Sequence, residues 1–517
     1  MTFPWLTTIA VVPLVGAAVV ALVPKPREVL AKQLALGFSL VAFALTVAMA
    51  TQFHNNTATQ FQFAEHHPWI KQFGVSYSVG VDGIGLVLIA LATIIVPLVI
   101  IASWNDVDSE RAPVRSFFAL VLALETTMVL VFAATDVFLF YVVFEVMLFP
   151  VYFLIGRWGG PQRSYAAVKF LLYGLLGGLV MLVALIGLYV ASANQLGTGT
   201  FDFTTLVGLH LDPGTQKLLF LGFFFAFAVK APMWPVHTWL PDAAAEATPG
   251  VAVLLVAVLD KVGTFGMLRL CLPLFPEASH YFAPLVIVLA VISIIYGALL
   301  AIGQTDMKRL IAYTSVSHFG FIVLGIFAFT TQGQAGSTLY MVNHGFSTAL
   351  LFIIAGYLIS RRGSRKIADY GGVHKVAPVL AGTFLLAGLS SLALPGLSPF
   401  VSEILVFVGT FSRYKVAAGI AVIAIVLSAL YILILFQRTM TGPVAKGVEN
   451  LKDLRGREML AIAPLIALVI GLGFVPQVLL NVINPAVTRT LVQVHSTDPP
   501  PSVPAAQAPT SDAGATQ

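Results

Sequence analysis

Apolar runs of about 20 residues recur about fourteen times along this 517-residue chain, and a helix of that length crosses a hydrocarbon core of about 30 Å. The runs cover 3–23, 33–52, 79–103, 113–133, 137–156, 166–192, 217–240, 248–270, 282–303, 309–330, 336–358, 376–410, 415–437 and 459–481. The expected fold class is an all-α polytopic membrane protein. With 58% hydrophobic and 10% charged residues, an ordinary soluble domain is excluded. The first run has no basic stretch before it and no small-residue cleavage site after it, so it reads as a retained span. The expected divisions are 1–112 with spans 1 to 3, 113–272 with spans 4 to 8, 273–440 with spans 9 to 13, and 441–494 with a loop and span 14. The remainder, 495–517, is rich in Pro, Ala and Ser from Thr497 onward and is predicted to be disordered.

A single cysteine, Cys271, excludes an intrachain disulfide and any multi-cysteine iron–sulfur or structural zinc site. No G-x-G-x-x-G follows a strand pattern and no G-x-x-x-x-G-K-[ST] occurs. Redox chemistry or ATP hydrolysis that drives this chain therefore belongs to other chains. Lysine and arginine are sorted between the two sets of loops. One set holds most of them, including Arg27, Arg111, Arg157, Lys308, Arg362 and Arg457, and the other only Lys71, Lys217, Arg269, Arg413, Lys415 and Arg489. The first set is expected to be cytoplasmic and both termini to lie on the outer side. The net charge of +5 reflects this sorting and is no sign of nucleic acid binding.

Several ionisable groups fall inside the apolar runs: Glu145, Lys230, Lys261 and Glu403, with His318 and His344. A charge at mid-bilayer costs roughly 2.5–3.5 kcal/mol on insertion scales, so it persists beside a partner or a water-filled cavity. Counting about 1.5 Å per residue from the span ends places Glu145, Lys230, Lys261, His318 and His344 in the middle third. A file of such groups is what a proton path needs. Two spans are interrupted nearby, by Ala231-Pro232-Met233-Trp234-Pro235 after Lys230 and by Leu394-Pro395-Gly396-Leu397-Ser398-Pro399 before Glu403. The prolines free the carbonyls of Ala228 and Ala231. Two broken helices in the two halves of a membrane chain point to inverted repeats, here spans 4 to 8 and 9 to 13, with span 7 paired to span 12.

Other residues have plainer readings. Proline alone is a common packing kink; two breaks, each beside a charge, reverse that. An intramembrane histidine reads equally as a packing or a relay group, and this applies to His318 and His344. Lys169 lies a turn inside its span, where snorkelling to the interface is expected. Asp260 precedes Lys261, and neighbouring helical residues point about 100° apart, so the two make poor direct partners. Glu125 is buried without explanation. Asp136, Asp242, Glu246 and Asp306 lie near span ends, where solvated or capping roles are the default.

Five blocks carry a resemblance: FYVVFEVMLFPVYFLIGRWG around Glu145, LGFFFAFAVKAPMWPVHTWLPDA around Lys230, LDKVGTFGMLRLCLPLFP around Lys261, AIGQTDMKRLIAYTSVSHFG around His318, and LALPGLSPFVSEILVF around Glu403. Together they resemble the antiporter-like membrane subunits of respiratory complex I over nearly the whole chain. The resemblance implies a charge pair of Glu145 with Lys230, a central relay at Lys261, a polar axis through His318 and His344, and a last group at Glu403. It also implies FMN, iron–sulfur clusters and quinone in other subunits and none here, a bacterial inner-membrane location, and neighbours among the membrane-arm subunits, the L and N chains. Those chains and the Mrp-type Na⁺/H⁺ antiporter subunits, the alternative reading, usually carry lysine at the last position, from which Glu403 departs. Ala244 replaces a histidine of many relatives, the Gly-Ser usual at the start of span 8 is missing, and Asp260 stands where relatives are mostly apolar.

Overall fold

The computed structural model of the protein describes residues 3–55, 59–107 and 112–500. Arg111 and residues 501–517 of the predicted tail lie outside the described residues. The chain begins with α1 (Trp5–Leu22) and α2 (Glu28–Thr51), followed by an antiparallel hairpin of β1 (Gln62–Ile70) and β2 (Val75–Val81). Then come α3 (Gly83–Ala102), α4 (Val114–Ala133), α5 (Val137–Val146), α6 (Leu148–Trp158), α7 (Arg163–Leu196), α8 (Phe203–Val207) and α9 (Pro213–Lys230). The second half holds α10 (Trp239–Glu246), α11 (Pro249–Leu274), α12 (Pro276–Ile302), α13 (Met307–Ile326) and α14 (Thr331–Arg362). It ends with α15 (Pro378–Ser391), α16 (Ser398–Arg413), α17 (Lys415–Met440), α18 (Gly456–Phe474) and α19 (Gln477–Gln493).

Among the described residues 12 helices are long and apolar enough to cross a membrane, with α5 and α6 counted as one. The runs left outside that number, 217–240 and 376–410, are the ones the sequence reads as interrupted. The hairpin departs from the all-α expectation; Gly74 at φ 65° supplies the left-handed turn that joins its strands. The last predicted run is also divided. Pro476 has no N–H to continue α18 and disfavours helical backbone at Val475, so the chain restarts as α19. The start of the predicted tail is held in place: Arg413 donates to the Thr497 carbonyl at 2.7 Å and Asp498 accepts from the Thr331 amide at 2.7 Å.

Helix starts follow local chemistry. Asp82, Asp136 and Asp306 each accept from two amides of the helix that follows, as N-caps do. The lipid-facing and core-facing sides are equally legible. On α7, Leu172, Leu176, Leu179, Val183, Ile186 and Val190 form an exposed apolar stripe at helical spacing. Its opposite face is small, with Gly174, Gly177 and Gly178 buried against neighbours. By contrast α11, α14 and α13 are 100%, 94% and 89% buried along their most apolar windows. Those three helices form the interior of the bundle, and Lys261, His318 and His344 lie on them. Close approach of α14 to α16 depends on Gly409, where a Cβ would stand 2.2 Å from the Gly333 amide nitrogen.

Candidate functional site

Lys261 sits between two π-helical turns of α11, Leu254–Leu259 and Met267–Cys271. In an α-helix the Asp260 amide bonds the carbonyl of Val256; here it bonds Leu255 at 3.1 Å. The ammonium of Lys261 donates to that Val256 carbonyl and lies 2.8 Å from Nδ1 of His344 on α14. Lys261 is 0% and His344 2% exposed. The ring of His344 faces that of His318, with centroids 5.2 Å apart. His318 Nδ1 in turn lies 2.7 Å from the Tyr340 hydroxyl, which donates to Glu403 Oε2 at 3.4 Å. The structure thus brings Lys261, His344, His318 and Glu403 into one buried file, with Tyr340 as a member the sequence reading missed.

At the first break the carbonyls near Pro232 find partners within the protein. The Ala228 carbonyl accepts from the Met233 amide at 3.0 Å and the Val229 carbonyl from the Trp239 indole at 2.9 Å. Ser293 Oγ accepts from the Trp234 amide at 2.9 Å, tying this first break to α12. At the second, Ala393 and Gly396 take positive φ of 58° and 92° between α15 and α16. Asn343 of α14 donates to the Ser398 carbonyl at 2.8 Å and to Ser402 Oγ at 3.2 Å, which fixes the start of the helix carrying Glu403.

Glu145 and Lys230 are not in contact in this structure. Neither Glu145 Oε1 nor Lys230 Nζ has a hydrogen-bond partner among the described residues. The Lys230 ammonium instead lies over the Phe144 ring, 4.8 Å from its centroid, where a π-face attracts a cation. The Glu145 carboxylate lies against Gly178 of α7, and a Cβ there would stand 1.7 Å from Oε1. Gly177, one residue earlier, packs against Ala226 and Val229 of α9. Adjacent glycines of α7 therefore let Glu145 on one side and the Lys230 helix on the other approach the same backbone. The implied charge pair is separated, and closing it requires side-chain movement.

Around α10 the charged side chains make direct pairs. Lys169 bonds Asp242 at 2.7 Å, so the snorkelling expectation gives way to an ion pair. Asp242 also takes Arg309 at 2.5 Å, while Glu246 takes Arg365 at 3.0 Å. These two carboxylates, expected to be solvated or capping, hold α10 to α7, α13 and the segment after α14. Lys308, assigned above to a loop, is buried and donates to the Ala247 carbonyl. Arg269, also assigned to a loop, is 6% exposed and paired with Asp82. His237, within the first break, is buried with both ring nitrogens unpartnered and its ring 5.2 Å from that of Tyr296. The oxygens of Glu125 and Asp260 are likewise buried without partners among the described residues.

A membrane bundle with charges threaded through its centre defines the class of antiporter-type transport subunits. The family described as NADH:quinone oxidoreductase/Mrp antiporter, TM, matches residues 134–428, and the family described as NADH-ubiquinone oxidoreductase chain 4, amino terminus, matches residues 11–132. NADH-quinone oxidoreductase subunit M of Mycobacterium tuberculosis is 55% identical over 97% of this chain and 96% of its own length. The subunit M of Rhodobacter capsulatus is 38% identical over 95% and 97%. A chain of respiratory complex I from Thermus thermophilus superposes with a TM-score of 0.84 at 30% identity, covering 95% of this chain and 99% of that one. A chain of the Mrp complex from Dietzia superposes at 0.83 over 96% and 100%, but at 22% identity this is a likeness of fold alone. The chain belongs to the subunit M (chain 4) family of NADH-quinone oxidoreductases and is an integral membrane protein of that respiratory complex.

Proposed function

We propose that this chain translocates protons through the file Glu145, Lys230, Lys261, His344, His318, Tyr340 and Glu403, driven by redox chemistry in other subunits of the complex. The observation that carries the reading is the buried run from the Lys261 ammonium through His344 and His318 to Tyr340 and Glu403. Each named group holds or passes a proton, and ammonium, imidazole, phenol and carboxyl follow one another. Between the two imidazoles a proton crosses through water or by ring rotation. An opposite charge nearby favours the charged form of a lysine and desolvation opposes it. Movement of Glu145 toward Lys230 therefore loads that lysine, and movement away releases its proton toward Lys261.

In this reading both termini lie on the outer side of a bacterial inner membrane, spans 4 to 8 and 9 to 13 form inverted repeats, and the L and N chains are neighbours. FMN, iron–sulfur clusters and quinone belong to other subunits. Na⁺/H⁺ exchange by an Mrp-type subunit is the competing reading, and Glu403 speaks against it because those subunits resemble one another in carrying lysine there. The test is proton uptake into vesicles holding the whole complex, measured against NADH-driven quinone reduction, for Lys261→Met and Lys169→Met. Lys261→Met should abolish most coupled uptake. Lys169→Met should be milder, since Arg309 still neutralises Asp242. Wild-type pumping by Lys261→Met at equal complex content overturns the proposal.

A further inference from the structure

Lys230 and Lys261 stand on different helices with no hydrogen bond between them, and passing a proton directly from one to the other leaves a bare ammonium in apolar surroundings throughout. Asp260 offers an alternative. It is 0% exposed and neither carboxylate oxygen has a hydrogen-bond partner among the described residues. An unpaired carboxylate in such a place is strongly destabilising, so its presence calls for a reason.

Position supplies one. Asp260 and Gly263 are three residues apart and share a helix face. A Cβ on Gly263 would stand 2.6 Å from both the Ala231 amide nitrogen and the Phe227 carbonyl oxygen, so this face packs on the backbone at the end of α9, beside Lys230. Lys261 turns elsewhere, toward Val256 and His344. Two consecutive residues thus point about 100° apart on α11, Asp260 sharing the face that packs on the end of α9 and Lys261 reaching His344.

We propose that Asp260 carries the proton between Lys230 and Lys261, an inference that rests on the translocation reading above. In the first step an N–H bond at Lys230 Nζ breaks and an O–H bond forms on Asp260, leaving a neutral amine and a neutral acid. In the second the Lys261 side chain swings from His344 toward Asp260, the O–H bond breaks and an N–H bond forms on the neutral Lys261 amine, leaving an ammonium and a carboxylate. Protons and charge balance without a co-reactant. The intermediate has no net charge on either partner, which suits a dry interior, and the four-carbon stems of the lysines provide the reach. Relatives that resemble this chain but are apolar at this position must make the same step by another route, so the device is particular to sequences with the Asp-Lys pair.

The experiment compares Asp260→Asn, Asp260→Glu and Lys261→Met in the reconstituted whole complex, reading protons taken up per NADH oxidised at matched complex content. Asp260→Asn should lower that ratio severalfold, and Asp260→Glu should restore most of it. Asparagine matching wild type, or glutamate as defective as asparagine, overturns the role of Asp260. If Lys261→Met is also without effect, the translocation reading itself falls, so the two failures are distinguishable. A second readout does not depend on the asparagine variant assembling. Infrared difference spectra of wild type during turnover should show a protonated carboxyl band that shifts in Asp260→Glu; absence of any such shift also overturns the inference.

Discussion

Lys261 Nζ and His344 Nδ1 lie 2.8 Å apart although the two residues are separated by 83 positions in the chain. A π turn makes the meeting possible by diverting the Asp260 amide to Leu255 while the ammonium donates to Val256. From this contact the file runs on to Glu403, and its weakest direct link is the 3.4 Å hydrogen bond from Tyr340.

Tyr340→Phe removes the hydroxyl that joins His318 to Glu403 and keeps the ring that packs 6.3 Å from Phe321. Assembly should be retained, with a loss of about 1 kcal/mol for the hydrogen bond. Proton uptake per NADH should fall severalfold. The check is vesicle acidification beside quinone reduction in the same preparation, and an unchanged ratio removes Tyr340 from the path.

Glu145 can be tested twice, by deletion and by displacement. Glu145→Ala removes the carboxylate and should depress coupled pumping strongly while the complex assembles. Gly178→Ala keeps the carboxylate but adds a Cβ 1.7 Å from the present position of Oε1. The far end of a glutamate yields more readily than backbone, so the carboxylate shifts rather than the helix. Pumping should be altered in both variants, with complex content near wild type on native gels. Normal pumping in Glu145→Ala shows that the separated pair has no part in translocation.

Much of the site is legible in the sequence because its signals are local. A lysine or glutamate inside an apolar run, and a Pro-x-x-Pro after Lys230, need no knowledge of neighbouring helices. Tyr340 was invisible for the opposite reason: a tyrosine in a membrane helix is ordinary until His318 and Glu403 are seen on either side of it. The pairing of Lys169 with Asp242 depends on where α10 turns after the first break, which no periodicity encodes. Arg269 sits at the edge of an apolar run that ends at residue 270, whereas α11 continues to Leu274. The hairpin has a sequence signal too short to stand out beside the apolar runs, the alternation in Val75–Val81 behind Gly74.

Asp106 gives a stability prediction outside the spans. Burial pushes its carboxyl up to about 6 from the ordinary 3.8, with Arg457 opposing. A carboxyl protonated more readily in the folded state contributes stability at low pH, and that contribution is lost as pH rises from 3.8 through about 6. Asp106→Asn removes the cost of burying the charge. Its thermal unfolding temperature should rise by a few degrees at about pH 7.5 and match wild type at about pH 4. A fall at the higher pH shows that the charged Asp106 is held by Arg457 and Arg361 rather than merely buried.

In the proposed path Glu403 is the last group, and it must gain and lose a proton. The decisive measurement is protons translocated per NADH oxidised by the reconstituted complex carrying Glu403→Gln, Glu403→Asp or Glu403→Lys. The neutral glutamine should be the worst of the three, aspartate should keep part of the ratio, and lysine, which also gains and loses a proton, should keep some. Glutamine pumping like wild type would contradict the account and leave Glu403 as a structural residue of the helix break.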